Sequence, residues 1–179
     1  MSRLETSRLL MREWREGDLD AYAVMAADPE VMRYVGGVRD RARCWRAMAT
    51  DAGHWVLRGY GQWALERRAD GALLGHAGLW NPEGWPGLEV GWTLARHAWG
   101  QGYAAEAGAA AIDWAWRRLD APRLISVIDP GNTRSVRVAE GLGLRPSGEE
   151  MVDGKPATIF VIERARTDGP APRPASTGP

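Results

Sequence analysis

The chain has 179 residues, 45% of them hydrophobic, and this length corresponds to one domain with enough apolar side chains to form its own core. Its 23 Lys and Arg residues balance 23 Asp and Glu residues, so the net charge is zero. Zero net charge argues against a protein that coats nucleic acid or binds an anionic membrane surface.

Cysteine and histidine are sparse. Cys44 is the single cysteine, which excludes an intrachain disulfide, and His54, His76 and His97 are too far apart in sequence for a typical metal-binding cluster. The N-terminal residues lack the apolar run of a signal peptide, and no stretch approaches the roughly 18 apolar residues of a membrane span. We therefore expect a soluble, cytoplasmic protein without a metal.

The first third of the chain predicts one strand followed by helices. Apolar residues over 7–14 predict the strand, and Asp18 begins a helix with Leu19, Tyr22 and Ala26 on one face. Two further helices are predicted, one beginning near Pro29 and one running from Asp40 to about His54.

The remaining pattern alternates strands with two helices. The predicted strands cover 61–67, 72–79, 88–94, 124–128, 144–152 and 157–164, and the predicted helices cover 102–119 and 132–142. This order predicts a single α+β domain over 1–166 with a strand–helix–strand unit at its centre. The Pro- and Gly-rich tail, 167–179, is expected to be disordered.

A glycine-rich segment lies between the predicted strand 88–94 and the helix that follows it. Gly100 and Gly102 allow a sharp turn and a close approach of backbone to a ligand. The start of the helix presents free N–H groups and the positive end of its dipole. Together these features predict a binding site for phosphate.

Two other interpretations of this segment stay open. The glycines are also compatible with a tight strand-to-helix loop that binds nothing. Residues 100–105 fit the dinucleotide variant G-x-G-x-x-A, and Asp129 stands at the end of the next strand, as a ribose-binding acid does. Against the dinucleotide interpretation, the motif lies past the midpoint of the chain and the strands before it read as an antiparallel meander.

The segment from Arg96 to Glu106, Arg-His-Ala-Trp-Gly-Gln-Gly-Tyr-Ala-Ala-Glu, resembles the acyl-CoA pyrophosphate loop of the GNAT N-acetyltransferase superfamily. The wider chain resembles its RimJ/RimL-type branch, the ribosomal-protein alanine acetyltransferases. Further segments resemble the family in order, over residues 6–12, 28–35, 88–94 and 132–144.

This resemblance implies a GNAT fold: a mixed, mostly antiparallel sheet of six to seven strands, splayed between strands 4 and 5, with helices on both faces. It also implies transfer of an acetyl group from acetyl-CoA to a primary amine by direct attack in a ternary complex. The expected partners are acetyl-CoA and an amine acceptor, without nucleic acid or membrane, and the protein is expected to be a monomer or homodimer.

The resemblance implies a set of cofactor-binding residues on strand 88–94, the glycine loop and the helix after Asn132. The backbone of Trp92 and Leu94 is expected to pair with the pantetheine arm, and loop N–H groups and arginines to bind the phosphates. The full set is Trp92, Thr93, Leu94, Arg96, His97, Trp99, Gly100, Gln101, Gly102, Tyr103, Ala104, Asn132, Ser135 and Arg137.

Two residues are predicted to be catalytic. Glu89 is the candidate base that takes a proton from the amine, with His76 as a second candidate. Many GNAT enzymes use a tyrosine as acid for the leaving thiolate, but this chain has Ala139 at that position. Ser135 is therefore the candidate hydroxyl, and a backbone N–H near Leu94 is the candidate oxyanion donor.

The acceptor is expected to bind between the N-terminal helices and the last hairpin, where Tyr34 is one candidate lining residue. The sequence does not specify which amine it is: a protein or peptide N-terminus and a small amine both remain open. A catalytically silent module that binds acyl-CoA is the alternative function, and a dinucleotide-binding protein is a remote one.

Overall fold

The computed structural model describes residues 3–165, so the tail predicted to be disordered lies outside the described residues. The strands are Leu4–Glu5 (β1), Leu9–Arg12 (β2), Gln62–Arg67 (β3), Leu73–Trp80 (β4), Glu89–Leu94 (β5), Arg123–Ile128 (β6), Arg145–Val152 (β7) and Lys155–Glu163 (β8). The helices are Leu19–Ala27 (α1), Pro29–Met32 (α2), Arg41–Arg58 (α3), Tyr103–Arg118 (α4) and Thr133–Gly141 (α5). Short 3-10 turns occupy Glu16–Asp18 and Arg96–Ala98.

Within residues 3–165 the eight strands form one mixed sheet in the order β1-β2-β3-β4-β5-β6-β8-β7. The expected α+β fold is confirmed, with one strand more than the six to seven predicted. The additional strand is β1, whose Leu4 pairs with Met11 of β2. A strand of two residues carries no alternation of apolar and polar side chains, so the sequence does not indicate it.

The join between β5 and β6 is the parallel part of the sheet. Neighbours from β1 to β5 pair antiparallel, as do β6 with β8 and β7 with β8. Strands β5 and β6 run parallel, with α4 as the crossover, and share one registered pair, Glu89 with Ile125. This is the predicted strand–helix–strand unit, and its strands are those expected to splay.

Helices cover both faces of the sheet, as predicted. Successive side chains of a strand point to opposite faces, and β4 illustrates this. Ala77 lies in a core cluster with Ala107 and Ala111 of α4, whereas the ring of the preceding His76 packs against Tyr22 of α1. A second apolar cluster joins α1, α2 and α3 through buried residues that include Met25, Met32 and Met48.

Helix α3 continues past the predicted end at His54 to Arg58, and Gly59 ends it in a left-handed conformation with φ +74°. The extra turn places Trp55 in the core. Its ring centroid lies 4.9 Å from that of Trp63 on β3 and 5.7 Å from that of Trp114 on α4, and the latter two are 5.4 Å apart. Three of the ten tryptophans of the chain therefore form an edge-to-face cluster in the core.

None of the described helices has both the length and the apolar character that crossing a membrane requires.

Candidate active site

The edge of β5 opens where β6 diverges from it. Ile125 N donates to Leu88 O at 2.9 Å, and Ser126 Oγ donates to Val90 O at 2.5 Å. Because backbone groups along a strand alternate in direction, Trp92 and Leu94 direct theirs to the same side as Val90. No registered β6 partner faces these two residues in the described chain, so their backbone edge is open toward a notch between the strands.

A cavity of about 440 Å³, here called the notch cavity, extends from this edge. It brings together most of the predicted cofactor-binding residues. Those that line it are Trp92, Thr93, Leu94, Trp99, Gly100, Gly102, Tyr103, Ala104, Asn132, Ser135 and Arg137. Arg96, His97 and Gln101 do not line it.

The glycine loop leads directly into α4. Gly100 and Gly102 have φ angles of +73° and +80°, which an L side chain adopts only at a cost in energy, and Gly102 is the N-cap of α4. No side chain caps this helix end. Its first N–H groups therefore face the notch cavity with the positive end of the helix dipole behind them, as an anion site requires.

Gln101 has a local structural role in this loop. Its Nε2 donates to His97 O at 2.7 Å, which bridges the loop from inside, and its own carbonyl accepts from Arg8 Nη1 at 2.8 Å. Trp99 is fixed as well, because its Nε1 donates to Leu94 O at 2.8 Å. That bond uses the Leu94 carbonyl and leaves the Leu94 N–H facing the notch.

Positive charge lines the rim of the notch cavity. Arg134 stacks on Trp99, with its guanidinium carbon 4.2 Å from the ring centroid, and it pairs with Glu30 at 3.3 Å. Arg96 also pairs with Glu30. Glu30, on α2, thus holds two arginines of the loop and of α5, a role that the sequence does not indicate because the three residues are far apart in the chain.

Glu89 lies at the registered pair that begins the notch. Its Oε2 accepts from Trp85 Nε1 at 2.8 Å, and its Oε1 accepts from Val127 N at 3.2 Å. Burial raises the pKa of this carboxyl to about 7, in spite of the two hydrogen bonds, which favour the ionised form. A pKa near neutrality suits a group that accepts and releases a proton.

A second cavity of about 140 Å³, the carboxylate cavity, contains both predicted catalytic residues in its lining. Glu89 and Gly91 border it from β5, and Asn132, Ser135 and Tyr34 border it from the other side. Asn132 Oδ1 accepts from Ser135 N at 3.2 Å and so caps α5. Glu89 and Ser135, which are 46 positions apart in the printed sequence, therefore face one space.

His76, the second candidate base, lies apart from the notch. Its Nδ1 is 2.9 Å from Gln62 Oε1, and its ring packs against Trp14 and Tyr22. Burial, with a contribution from the charge of Arg39, lowers the pKa of the imidazole to about 4. It is neutral at pH 7 but a much weaker base than Glu89.

Residues 8–145 match the family model described as an acetyltransferase (GNAT) domain. The chain belongs to the GNAT family of acetyltransferases. The doubly wound parallel sheet of a dinucleotide-binding fold is absent from the described residues, since β5 and β6 are their one parallel pair. The fold that the dinucleotide interpretation implies is therefore not the fold of these residues.

Relatives and solved structures agree with this assignment. The YkkB protein of Bacillus subtilis (strain 168) is 30% identical over 167 residues, which cover 89% of this chain and 94% of YkkB. YnaD of the same organism, named as an N-acetyltransferase, is 28% identical over 81% of this chain and 84% of YnaD.

The crystal structure of an acetyltransferase from Agrobacterium tumefaciens str. C58 superposes with a TM-score of 0.82 at 31% identity, over 92% of this chain and 95% of that one. A RimL L7/L12 α-N-protein acetyltransferase, solved in complex with coenzyme A, has a TM-score of 0.75 at 16% identity. This alignment covers 90% of this chain and 98% of the RimL chain. At 16% identity it shows that the two chains share a fold.

The acetyltransferase also ties its N-terminal segment to the glycine loop, which sequence reasoning missed. Glu106, in the first turn of α4, accepts from Thr6 Oγ1 at 2.6 Å, from Arg8 N at 2.9 Å and from Arg8 Nε at 2.7 Å. Arg8 also stacks on Tyr103, with its guanidinium carbon 4.4 Å from the ring centroid. Glu106 therefore holds the glycine loop and the start of α4 against the N-terminal segment.

The described residues contain no cluster of His, Cys, Asp and Glu with the geometry of a metal site.

Proposed function

We propose that this acetyltransferase moves an acetyl group from the thioester of acetyl-CoA to a primary amine, by direct attack in a ternary complex. The observation that carries the proposal is the notch: an open strand edge at Trp92 and Leu94 leads into the notch cavity, which ends on the uncapped N-terminus of α4. The RimL neighbour solved with coenzyme A supports it. The resemblance to the RimJ/RimL branch favours a protein or peptide N-terminal α-amine or a small amine as acceptor.

In this proposal the chain binds acetyl-CoA in three ways. The open backbone edge at Trp92 pairs with an amide of the pantetheine arm, as a strand edge pairs with a peptide. The Leu94 N–H is left for the thioester carbonyl, because the Leu94 carbonyl already accepts from Trp99. The N–H groups at the start of α4 bind the pyrophosphate. Arg134 and Arg137 provide the positive charge that the phosphates need, with Arg96 beside them.

Glu89 acts as the base. An α-ammonium group has a pKa of about 7.7–8.0, so proton transfer to a carboxylate whose own pKa is about 7 is close to balanced. The Leu94 N–H stabilises the oxyanion that forms on the thioester carbonyl. Most of the rate enhancement comes from holding the amine against the thioester.

Ser135 supplies the hydroxyl for the leaving thiolate, since Ala139 excludes the usual tyrosine. Ser135 lines both the notch cavity and the carboxylate cavity, and its hydroxyl has no hydrogen-bond partner among the described residues. It is therefore free to bond to the departing sulfur. Tyr34 and Thr93 line the same two cavities and also carry hydroxyl groups.

The test is release of free CoA from acetyl-CoA in the presence of single amines: peptides with free N-termini, amino acids and aminoglycosides. We expect turnover with at least one class, and binding of acetyl-CoA by calorimetry. If acetyl-CoA binds but no amine releases CoA, the transferase proposal is wrong and the chain is a binding module instead. If acetyl-CoA does not bind, both are wrong.

A further inference from the structure

A third cavity, of about 470 Å³, lies on the face of the sheet that α1 and α3 cover. We call it the arginine cavity, because Arg39, Arg43 and Arg46 line it. Its base is formed by Gln62 of β3 and His76 of β4. None of the cofactor-binding residues discussed above lines it.

None of the three arginines forms an ion pair with a carboxylate within residues 3–165, so their positive charges are not neutralised by direct contact. Arg39 donates to two neutral oxygens, Tyr22 Oη at 3.2 Å and Val35 O at 3.4 Å. The side chains of Arg43 and Arg46 form no hydrogen bond or ion pair within residues 3–165. By contrast Arg41, on the same helix but outside the cavity, pairs with Asp20.

One carboxyl, Asp51, also lines the arginine cavity. Its Oδ2 accepts from Trp14 Nε1 at 3.0 Å. Burial raises its pKa to about 7, so it is only partly ionised at neutral pH. Even fully ionised, Asp51 offsets one of three positive charges, and His76 is neutral at this pH. The arginine cavity therefore has a net positive charge.

The arginine cavity meets the reaction centre at Gln62, which lines both it and the carboxylate cavity. Gly91 leaves the space between Gln62 and Glu89 open. A Cβ at position 91 would lie 3.5 Å from Glu89 Oε1 and 3.9 Å from Gln62 Nε2. Gly78 of β4 is paired with Gln62 of β3 on one side and with Gly91 of β5 on the other. The Cα atoms of Gln62 and Gly91 are therefore two strand spacings apart, about 10 Å.

We propose that the acceptor of this acetyltransferase is an amine that carries an anionic group several bonds away, a carboxylate or a phosphate. The amine lies at Glu89, and the anionic group lies in the arginine cavity, where guanidinium groups form charge-assisted hydrogen bonds with it. The proposal rests on the proposed function and names its substrate class. In an α-amino acid the amine and the carboxylate are bonded to the same carbon. Such a molecule is too short to place its amine at Glu89 and its carboxylate in the arginine cavity.

The kinetic test compares acceptors that differ in one charge. The pairs are 6-aminohexanoate with 6-aminohexanamide and the peptide Ala-Glu-amide with Ala-Gln-amide, so that small molecules and peptide N-termini are distinguished. We expect kcat/KM to be about tenfold to a hundredfold higher for the acid of at least one pair, the range expected for hydrogen bonds to charged groups.

The arginines are tested with the double variant Arg43→Ala, Arg46→Ala. The double variant should lose the preference for the acid, while its kcat/KM for the uncharged amide and its KM for acetyl-CoA stay within about twofold of wild type. The matched control is Arg41→Ala, which removes a charge of the same helix and should keep the preference. Equal use of acid and amide by wild type, or an undiminished preference in the double variant, would overturn the proposal.

A binding measurement separates this proposal from the proposed function. With CoA at saturation, calorimetry with glutarate should give measurable binding to wild type and to Arg41→Ala, weakened at least tenfold in the double variant. If no amine supports turnover but glutarate binds in this pattern, the transferase proposal fails and the anion site stands. If glutarate binds wild type and double variant alike, or neither, the anion site is refuted whatever the turnover.

Discussion

Glu89 is the residue at which the structure and the proposed chemistry depend most directly on pH. Burial holds the pKa of its carboxyl at about 7, so its ionised fraction rises steeply across neutral pH. Turnover that uses this carboxylate as base should rise with pH over the same interval.

We expect Glu89→Gln to lower kcat/KM by about 10- to 1000-fold, within the range that general base catalysis covers. The pH profile of the variant should also lose the ionisation centred near pH 7 and keep the ionisation that belongs to the acceptor amine. The measurement is CoA release between pH 5.5 and 9, and the exposed Glu163→Gln is the control. A pH profile identical in Glu89→Gln and wild type would contradict the role of base.

Ser135→Ala should lower turnover by about tenfold or more without abolishing it, because the thiolate then leaves with less support while positioning of the amine is kept. Steady-state CoA release measures this, with the exposed Ser147→Ala as control. Tyr34→Phe, measured beside it, tests the neighbouring hydroxyl. Full activity of Ser135→Ala would remove Ser135 from the proposal.

Asp51 makes stability depend on pH. Its carboxyl releases a proton near pH 4 in the unfolded chain and at about pH 7 in the folded one, so the folded state binds more protons between these values. Asp51 therefore lowers the free energy of unfolding as pH rises through this interval. Asn at this position can still accept from Trp14 but cannot ionise.

We expect the free energy of unfolding of Asp51→Asn, minus that of wild type, to increase from pH 4 to pH 7. Denaturant titrations at several pH values measure it, and the exposed Asp120→Asn should show no such increase. His76, whose lowered pKa acts in the opposite direction over this interval, is present in both proteins and cancels in the difference. A difference that does not change with pH would contradict the assignment.

At the scale of elements, the N-terminus of α4 depends on a contact between distant segments. Glu106 accepts hydrogen bonds from Thr6 and Arg8, and these bonds keep the pKa of its carboxyl below the usual value although burial opposes this. Glu106→Ala removes every one of these bonds at once.

We expect Glu106→Ala to lower the free energy of unfolding by about 1–3 kcal/mol, as for a hydrogen-bonded charged group. Affinity for acetyl-CoA should fall as well, because the loop is then anchored by fewer contacts. Denaturant titration and calorimetry measure the two effects, with the exposed Glu150→Ala as control. If both the free energy of unfolding and the affinity for acetyl-CoA were unchanged, the hydrogen bonds of Glu106 would contribute to neither.

The glycine loop and the strand–helix–strand unit were predictable because their signals are local. Gly100 and Gly102 stand next to the helix that they begin, and strand 88–94 and helix 102–119 each carry their own pattern. The hydrogen bonds between Arg8 and Glu106 depend on how α4 packs on the sheet. The approach of Arg43 and Arg46 to Gln62 depends on how α3 packs on it. Such contacts join segments far apart in the chain, and no local pattern reports them.

At the scale of the whole molecule, the core is held together across the sheet by tryptophan. Trp63 is fully buried on β3 and contacts both Trp55 of α3 and Trp114 of α4.

We expect Trp63→Ala to lower the free energy of unfolding by about 3–5 kcal/mol, as for other large aromatic residues removed from cores. Trp45, 53% exposed on α3, provides the control: Trp45→Ala should change it by less than about 0.5 kcal/mol. Denaturant titration distinguishes the two, and a small effect at Trp63 would mean that the cluster is not a major part of the core.

The whole molecule is neutral, yet its charges are distributed unevenly. Arg134 and Arg137 line the notch cavity, the proposed site for CoA, and Arg96 lies beside them. Arg39, Arg43 and Arg46 line the arginine cavity, the proposed site for the acceptor's anionic group. Two arginine-rich surfaces thus flank Glu89, one proposed for each substrate, and Glu30 and Asp51 offset only part of their positive charge.

The parallel join between β5 and β6 has a consequence for how this sheet opens. Ile125 N and Val127 N donate across the join, to Leu88 O and to Glu89 Oε1, and one of these acceptors is the proposed base itself. Exchange of these two amide protons with deuterium therefore reports the separation of the two parts of the sheet. The Val127 amide also reports the ionisation of Glu89, since a carboxylate holds this proton more strongly than a carboxylic acid does.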